Sequence, residues 1–125
     1  MDEEILNGIS ERIIGCAFKV SNALGCGFLE KVYENALVIE LRKNGLRAQA
    51  QMPIDVVYDG EIVGEFFADI VVEDLIIVEL KATRDGHDSH VAQCLNYLKA
   101  TGKPLCLLLN FGKPKVEIKR LRSSN

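Results

Sequence analysis

The chain lacks any C-x-x-C pair. Its four cysteines, Cys16, Cys26, Cys94 and Cys106, stand singly among apolar residues, which argues against a structural zinc site. In a reducing compartment they read as small core residues; the alternative is a catalytic Cys–His pair using His87 or His90. No apolar run is long enough to cross a bilayer. The acidic opening Met1-Asp2-Glu3-Glu4 resembles neither a signal nor a transit peptide. The expected location is therefore the cytoplasm, with no membrane partner. A basic surplus is also missing: 15 Lys and Arg face 18 Asp and Glu, for a net charge of −3, which counts against a dedicated nucleic-acid binder. The sign is uneven, because Lys113, Lys115, Lys119, Arg120 and Arg122 face Glu117 alone after Gly112. That run reads first as a solvated edge and tail, and second as a phosphate track. Internal repeats, low-complexity segments and linkers are absent. Gly25 and Gly27 are too sparse for a nucleotide loop and fit a tight turn between helices.

What is present is a chain of 125 residues with 48% hydrophobic content, the size and composition of one packed domain spanning residues 1–125. Ile5, Ile9, Ile13, Ala17, Val20 and Leu24 recur at helical spacing over Glu4 to Leu24. A second helix is expected from about Leu29 to Asn44, with Leu29, Val32, Tyr33, Ala36, Leu37 and Leu41 as its apolar stripe and Gly45 as its stop. The period then changes to two: Ala50, Met52, Ile54, Val56 and Tyr58 alternate with polar residues, and Asp59-Gly60 is a hairpin dipeptide. Glu61 to Val72 and Leu75 to Leu80 complete an antiparallel meander. A helix over about Ser89 to Thr101, capped by Asp88 or Ser89, ends at Gly102 and Pro104. Leu105 to Phe111 reads as a strand buried on both faces, and Val116 to Leu121 as a short edge strand. The predicted class is α/β, in the order α-α-β-β-β-α-β-β, with a mixed sheet flanked by helices.

The most informative stretch is Glu79-Leu80-Lys81. Alternation puts Glu79 and Lys81 on one face at the end of an otherwise apolar strand. Metal-dependent phosphodiester hydrolysis uses such a set: carboxylates hold a hard cation, and a lysine steers the attacking water. Register makes the idea testable. A two-residue loop at Glu73-Asp74 would pair Val72 with Leu75 and put Asp69 on the face away from Glu79. A three-residue loop, Glu73 to Leu75, would pair Val72 with Ile76 and set Asp69 directly opposite Glu79. Two facing carboxylates repel unless something neutralises them; a divalent cation would, and this second arrangement is the one expected. The competing account makes Asp69 a polar strand end and Glu79–Lys81 an ordinary surface ion pair.

Asp69 followed by Glu79-Leu80-Lys81 resembles the D…(D/E)-x-K pattern of the PD-(D/E)XK nuclease superfamily. Gly27-Phe28-Leu29-Glu30-Lys31-Val32-Tyr33 resembles the motif that names the small GxxExxY protein family, which is grouped with that superfamily. The likeness continues through Tyr33 to Leu37, Ala68-Asp69, Val78 to Ala82 and Gln93 to Gly102, in the family's order. Ala68 stands where the superfamily pattern has proline. The resemblance implies an α-β-β-β-α-β core carrying its metal site on the meander. It implies Asp69 and Glu79 as principal ligands of Mg²⁺ or Mn²⁺, with Glu30 as a further acid binding directly or through water and the Leu80 carbonyl as an additional donor. Lys81 would orient the water and stabilise charge developing on the phosphate. Gln93 and Tyr97 match a Q-x-x-x-Y element of RecB-like members and, at i and i+4, share a helix face that would meet substrate.

The implied activity is a metal-dependent nuclease of low intrinsic sequence specificity, acting on nucleic acid (DNA ahead of RNA), with specificity supplied by a second copy or an accessory protein. A non-catalytic module that binds nucleic acid, nucleotide or protein on the same fold is the alternative. Each residue also has a structural account. Glu30 suits the positive end of a helix, Glu34 reads as solvated or paired with a base, and Tyr33 and Tyr97 suit core aromatics with one polar tip. Gln93 would satisfy a backbone group. His90 shares the Gln93–Tyr97 stripe, and His87 lies in the loop after Lys81.

Overall fold

A computed structural model describes residues 2–84 and 88–123, apart from the side chains of Asp88 and Ser89. The expected caps of the third helix and the His87 reading therefore lie outside the described residues. The described residues form helices α1 (Glu3–Leu24), α2 (Glu30–Lys43) and α3 (Asp88–Thr101). The strands are β1 (Ala48–Tyr58), β2 (Glu61–Val72), β3 (Ile76–Lys81), β4 (Leu105–Asn110) and β5 (Glu117–Arg122), in the predicted order. No helix among them is long and apolar enough to cross a membrane.

α1 starts where the Asp2 carboxylate accepts the Glu4 N–H at 2.8 Å and the acids Glu3 and Glu4 meet the positive end of the helix. Its buried stripe is Leu6, Ser10, Ile13, Ala17 and Val20, whereas Ile5 is 55% exposed. The expected stripe climbed in steps of four, each overshooting a 3.6-residue turn, so its first member drifts off the buried face. α2 buries Tyr33, Leu37 and Leu41 as expected. Leu29, at 80% exposure, and Val32, at 39%, leave the stripe, because Leu29 is an extended residue ahead of the helix rather than part of it. The helix ends with Gly45 at φ +79, the Leu46 N–H bonding Leu41 O and the Gly45 N–H bonding Arg42 O, both at 3.0 Å, the closing pattern that a left-handed glycine permits. Between α1 and α2, Gly25 (φ +70) and Gly27 (φ +114) make the turn. Cys26 lies exposed in it, unlike the buried Cys16, Cys94 and Cys106, so the core reading of the cysteines fails at that one turn position.

The sheet runs β1-β2-β3-β4-β5, antiparallel except for the parallel pair β3–β4 that brackets α3. The turn between β1 and β2 uses Asp59 (φ 52) and Gly60 (φ 80), two left-handed residues that match the twist of a two-residue hairpin. β4 is buried from Leu105 to Leu109 and lies between two neighbours; β5 is an edge strand. The charged run after Gly112 is in large part tied down: Arg120 bonds Asn7 and Arg122 pairs with Glu3, fastening β5 to the start of α1.

α1 and α2 cover one sheet face, over Ala48, Ile70, Val72, Ile76, Val78 and Leu80. α3 covers the other through Cys94, Tyr97 and Leu98, over Ile54, Ala68, Val71, Ile77 and Cys106. Alternation breaks in the middle of both β1 and β2, and the register of the pair slips again between Val56 and Val57. Ala48 and Ile54 share parity but face opposite layers, as do Ile70 and Ala68. The residues between them are Gln51, left-handed at φ 56, and Asp69, which lies opposite it between the pairs Ala50↔Ile70 and Met52↔Ala68. The expected buried set of β1 fails at Ala50, next to the change of face, and at Tyr58, beside the hairpin turn, both exposed, and holds at Ile54.

Candidate active site

The β2–β3 loop is Glu73-Asp74-Leu75, with Val72 paired to Ile76, Val71 to Ile77 and Ile70 to Val78. The next pair outward in this register is Asp69 and Glu79, the three-residue arrangement expected from sequence. The ladder stops there, and the two carboxylates take over the backbone donors it leaves. The Leu80 N–H donates to Asp69 Oδ2 at 2.8 Å, and the Asp69 N–H donates to Glu79 Oε1 at 3.0 Å. The change of face at Asp69 is what turns its side chain toward β3.

Glu79 is 3% exposed. Burial, with Asp69 next to it, pushes its carboxyl up to about 9; burial also raises Asp69. Two carboxylates in contact inside a low-dielectric wall cannot both ionise without a counter-charge. Burial therefore favours the protonated form of Glu79 beside Asp69. Lys81, on the same face as Glu79, is half-buried, forms no ion pair among the described residues, and its charge acts on both Asp69 and Glu30.

Glu30, in the first turn of α2, is exposed and does not join the pair. Among the described residues no three Asp, Glu, His or Cys side chains converge as a metal cluster. Partial burial raises the Glu30 carboxyl, with Asp69 and Glu34 pushing the same way and Lys81 opposing, so it stands at the rim. Gln93 and Tyr97 do share a face of α3, but Gln93 Nε2 donates to Tyr97 Oη at 3.0 Å rather than to backbone. Burial raises the Tyr97 hydroxyl, and the charges of Glu79 and Asp69 reach it. Tyr33 is a core aromatic: it stacks on Phe111 at 4.8 Å, donates to Gly25 O at 2.6 Å and accepts from the Phe28 N–H.

Two participants were read in part or not at all. Glu34 is paired with a base, as one of its two readings had it, but it is buried rather than solvated. It accepts from Lys31 Nζ at 2.6 Å and from Gln51 Nε2 at 2.8 Å, and its charge acts on Asp69. Its position four residues after Glu30, on the same helix face, was the available signal. Gln51 had none, since its left-handed backbone is unusual for a non-glycine residue.

The exit from β3 is clamped. Asn110, paired with Lys81 across the parallel ladder, accepts the Thr83 N–H at 3.1 Å and donates to Thr83 O at 2.9 Å. Its carboxamide oxygen also accepts the Gly112 N–H at 2.9 Å. A Cβ at Gly112 would lie 2.6 Å from the Thr83 carbonyl carbon. Gly112→Ala is therefore expected to cost about 1–3 kcal/mol, read as a lower melting temperature.

The oxygen-only donor set suits a hard cation. Mg²⁺ needs only one or two protein carboxylates, since it keeps several waters, so the pair fits such an ion without a third acid. A meander carrying two carboxylates and a lysine where β2 and β3 part, between α1/α2 and α3, defines a nuclease-type fold. The sequence model of one protein family, described as the PD-(D/E)XK nuclease superfamily, matches residues 7–121. The chain belongs to that superfamily. Among solved structures it is similar to SSO0001, with a TM-score of 0.62 and 16% identity over 76% of this chain and 50% of that one. It thus spans half the length of that protein. It is also similar to the alkaline exonuclease LHK-Exo from Laribacter hongkongensis, with a TM-score of 0.51 and 12% identity over 86% of this chain and 76% of that one. At these identities the likeness is one of fold. No curated protein matches the chain.

Proposed function

We propose that this protein is a nuclease that hydrolyses nucleic-acid phosphodiester bonds using Mg²⁺ or Mn²⁺ held by Asp69 and Glu79. The observation that carries the reading is the pairing of the buried Glu79 with the half-buried Asp69 at the end of the β2–β3 ladder, where each carboxylate accepts a backbone N–H from the opposite strand. Such a contact has no structural return that a neutral pair would not give more cheaply. A bound divalent cation supplies a Lewis acid for the phosphate and a water acidified toward hydroxide. The chain supplies the rest. Backbone N–H groups of Asp69 and Leu80 fix the two carboxylates before any ligand arrives. The Lys81 ammonium orients the attacking water and stabilises the charge that grows on the phosphoryl oxygens. Glu30 adds an outer acid at the rim, acting through water, and Gln93 and Tyr97 meet the substrate.

Short connections leave little surface for reading base sequence, so specificity is low or comes from a second copy or an accessory protein, with DNA preferred to RNA. Four free cysteines suit a reducing, cytoplasmic setting. The test is Mn²⁺-dependent cleavage of mixed nucleic acids by the wild type, Lys81→Ala and Glu79→Gln. Loss in both variants supports the site. Equal cleavage by all three marks a contaminant, and inactivity of all three together with nucleic-acid binding favours the non-catalytic module.

A further inference from the structure

A groove of about 780 Å³ lies between α3 and the β1–β2 ribbon, lined by Val56 and Phe66 from the ribbon and by Gln93, Asn96, Tyr97 and Lys99 from α3, among others. We infer that this groove seats an unpaired nucleotide of a single-stranded nucleic acid beside the Asp69–Glu79 centre. The inference rests on the nuclease reading and names its substrate class.

The chemistry of the walls selects the occupant. The Phe66 and Tyr97 rings are 6.0 Å apart and inclined at 46°, and Phe66 keeps 46% of its surface exposed. An apolar ring left open to water next to a second ring is a stacking platform for a flat heterocycle. Gln93 and Asn96 offer amide donors and acceptors that suit the edge of a base. Lys99 is the one charge among the lining residues, and no carboxylate is among them, although the chain as a whole carries −3. That local reversal of sign is complementary to a phosphate.

Position links groove to chemistry. Gln93 and Tyr97, bonded to each other, line the groove; Tyr97 packs in the same core cluster as Ala68, the residue before Asp69, and Phe66 stands on β2 three residues before that acid. A nucleotide in the groove would thus neighbour a phosphate at the acid pair. A base inside a duplex is stacked and paired and cannot enter without unpairing, so the groove discriminates for single strands. A purely apolar peptide would leave Lys99 and two amides unmatched.

The test is fluorescence anisotropy without metal, so that binding is read apart from hydrolysis, using labelled oligo(dT) and a duplex of equal length. The wild type is expected to bind the single strand about tenfold or more tightly than the duplex. Phe66→Ala should weaken single-strand binding about 5- to 150-fold, the range for loss of one stacked base, and Phe66→Tyr should restore it. Lys99→Ala should reduce the slope of log K against log salt by about 0.7, one phosphate contact on a single strand. Because Phe66 and Lys99 are both exposed, unchanged melting temperatures separate these effects from misfolding, and the Lys99 slope stands if Phe66→Ala fails to fold. No binding of oligo(dT) at low salt, equal affinity for duplex, or binding untouched by both substitutions overturns the inference. Cleavage that still disappears in Lys81→Ala would then leave the nuclease reading standing. Groove binding without Lys81-dependent cleavage would do the reverse.

Discussion

On the proposed function, Lys81→Ala is expected to lower Mn²⁺-dependent cleavage by about 10²–10³-fold, the usual effect of deleting one preorganised group that stabilises transition-state charge, and to leave metal binding in place. Lys81 is the natural candidate because β3 ends there, with its side chain on the face of Glu79 and no ion pair among the described residues. Its charge acts on the acids instead. A purely structural lysine would show the opposite division, with melting temperature falling and the rate per folded molecule unchanged. The check is kcat/KM together with the metal-induced rise in melting temperature, measured on the same preparations. Loss of that rise in Lys81→Ala would move the residue from chemistry to metal binding.

The metal-free protein loses stability as the pH is raised. Glu79 titrates near 9 in the folded chain against an ordinary value of 4.5, so the native state holds a proton that the unfolded chain releases over that interval. The stability contribution is complete below about 4.5, erodes as the pH climbs, and is gone above about 9. Asp69, raised in the same direction, adds to the slope. Each unit of displacement is worth about 1.4 kcal/mol. Several kcal/mol, about 10 °C or more for a chain of this size, therefore separate mildly acidic from alkaline solutions. On the proposed function a divalent cation would take the place of that proton, so metal-induced stabilisation should grow over the same range. Glu79→Gln removes the titration and should flatten the metal-free profile. Melting temperatures across this range, with and without Mn²⁺, measure both; a flat wild-type profile would contradict the buried acid contact.

The parts of this architecture that were legible in the sequence are those set by local chemistry. Asp59-Gly60 specifies a left-handed pair, an unbroken apolar run marks β4 as central, and three residues between Val72 and Ile76 place Asp69 against Glu79. Those features put the acid pair within reach of the sequence, and the family match over residues 7–121 agrees with the resemblance it carried. The rest depended on long-range packing. The left-handed Gln51 lies opposite Asp69 and changes the buried face of β1, which no alternation rule anticipates. Glu34 is buried because Gln51 reaches back to it from a strand 17 residues away. Ile5 and Leu6 both suit a helical stripe, and the sheet beneath decides between them.

Isothermal titration of Mn²⁺ into the wild type and Asp69→Asn tests the cation site most directly. Asparagine keeps an acceptor for the Leu80 N–H, so the fold should persist while one ligand charge is removed. The expected result is saturable binding by the wild type and its loss in Asp69→Asn. At a hundredfold excess of metal over Kd, the wild type should gain about 2.7 kcal/mol of stability. Identical isotherms for the two proteins, or no binding by the wild type, would contradict the site.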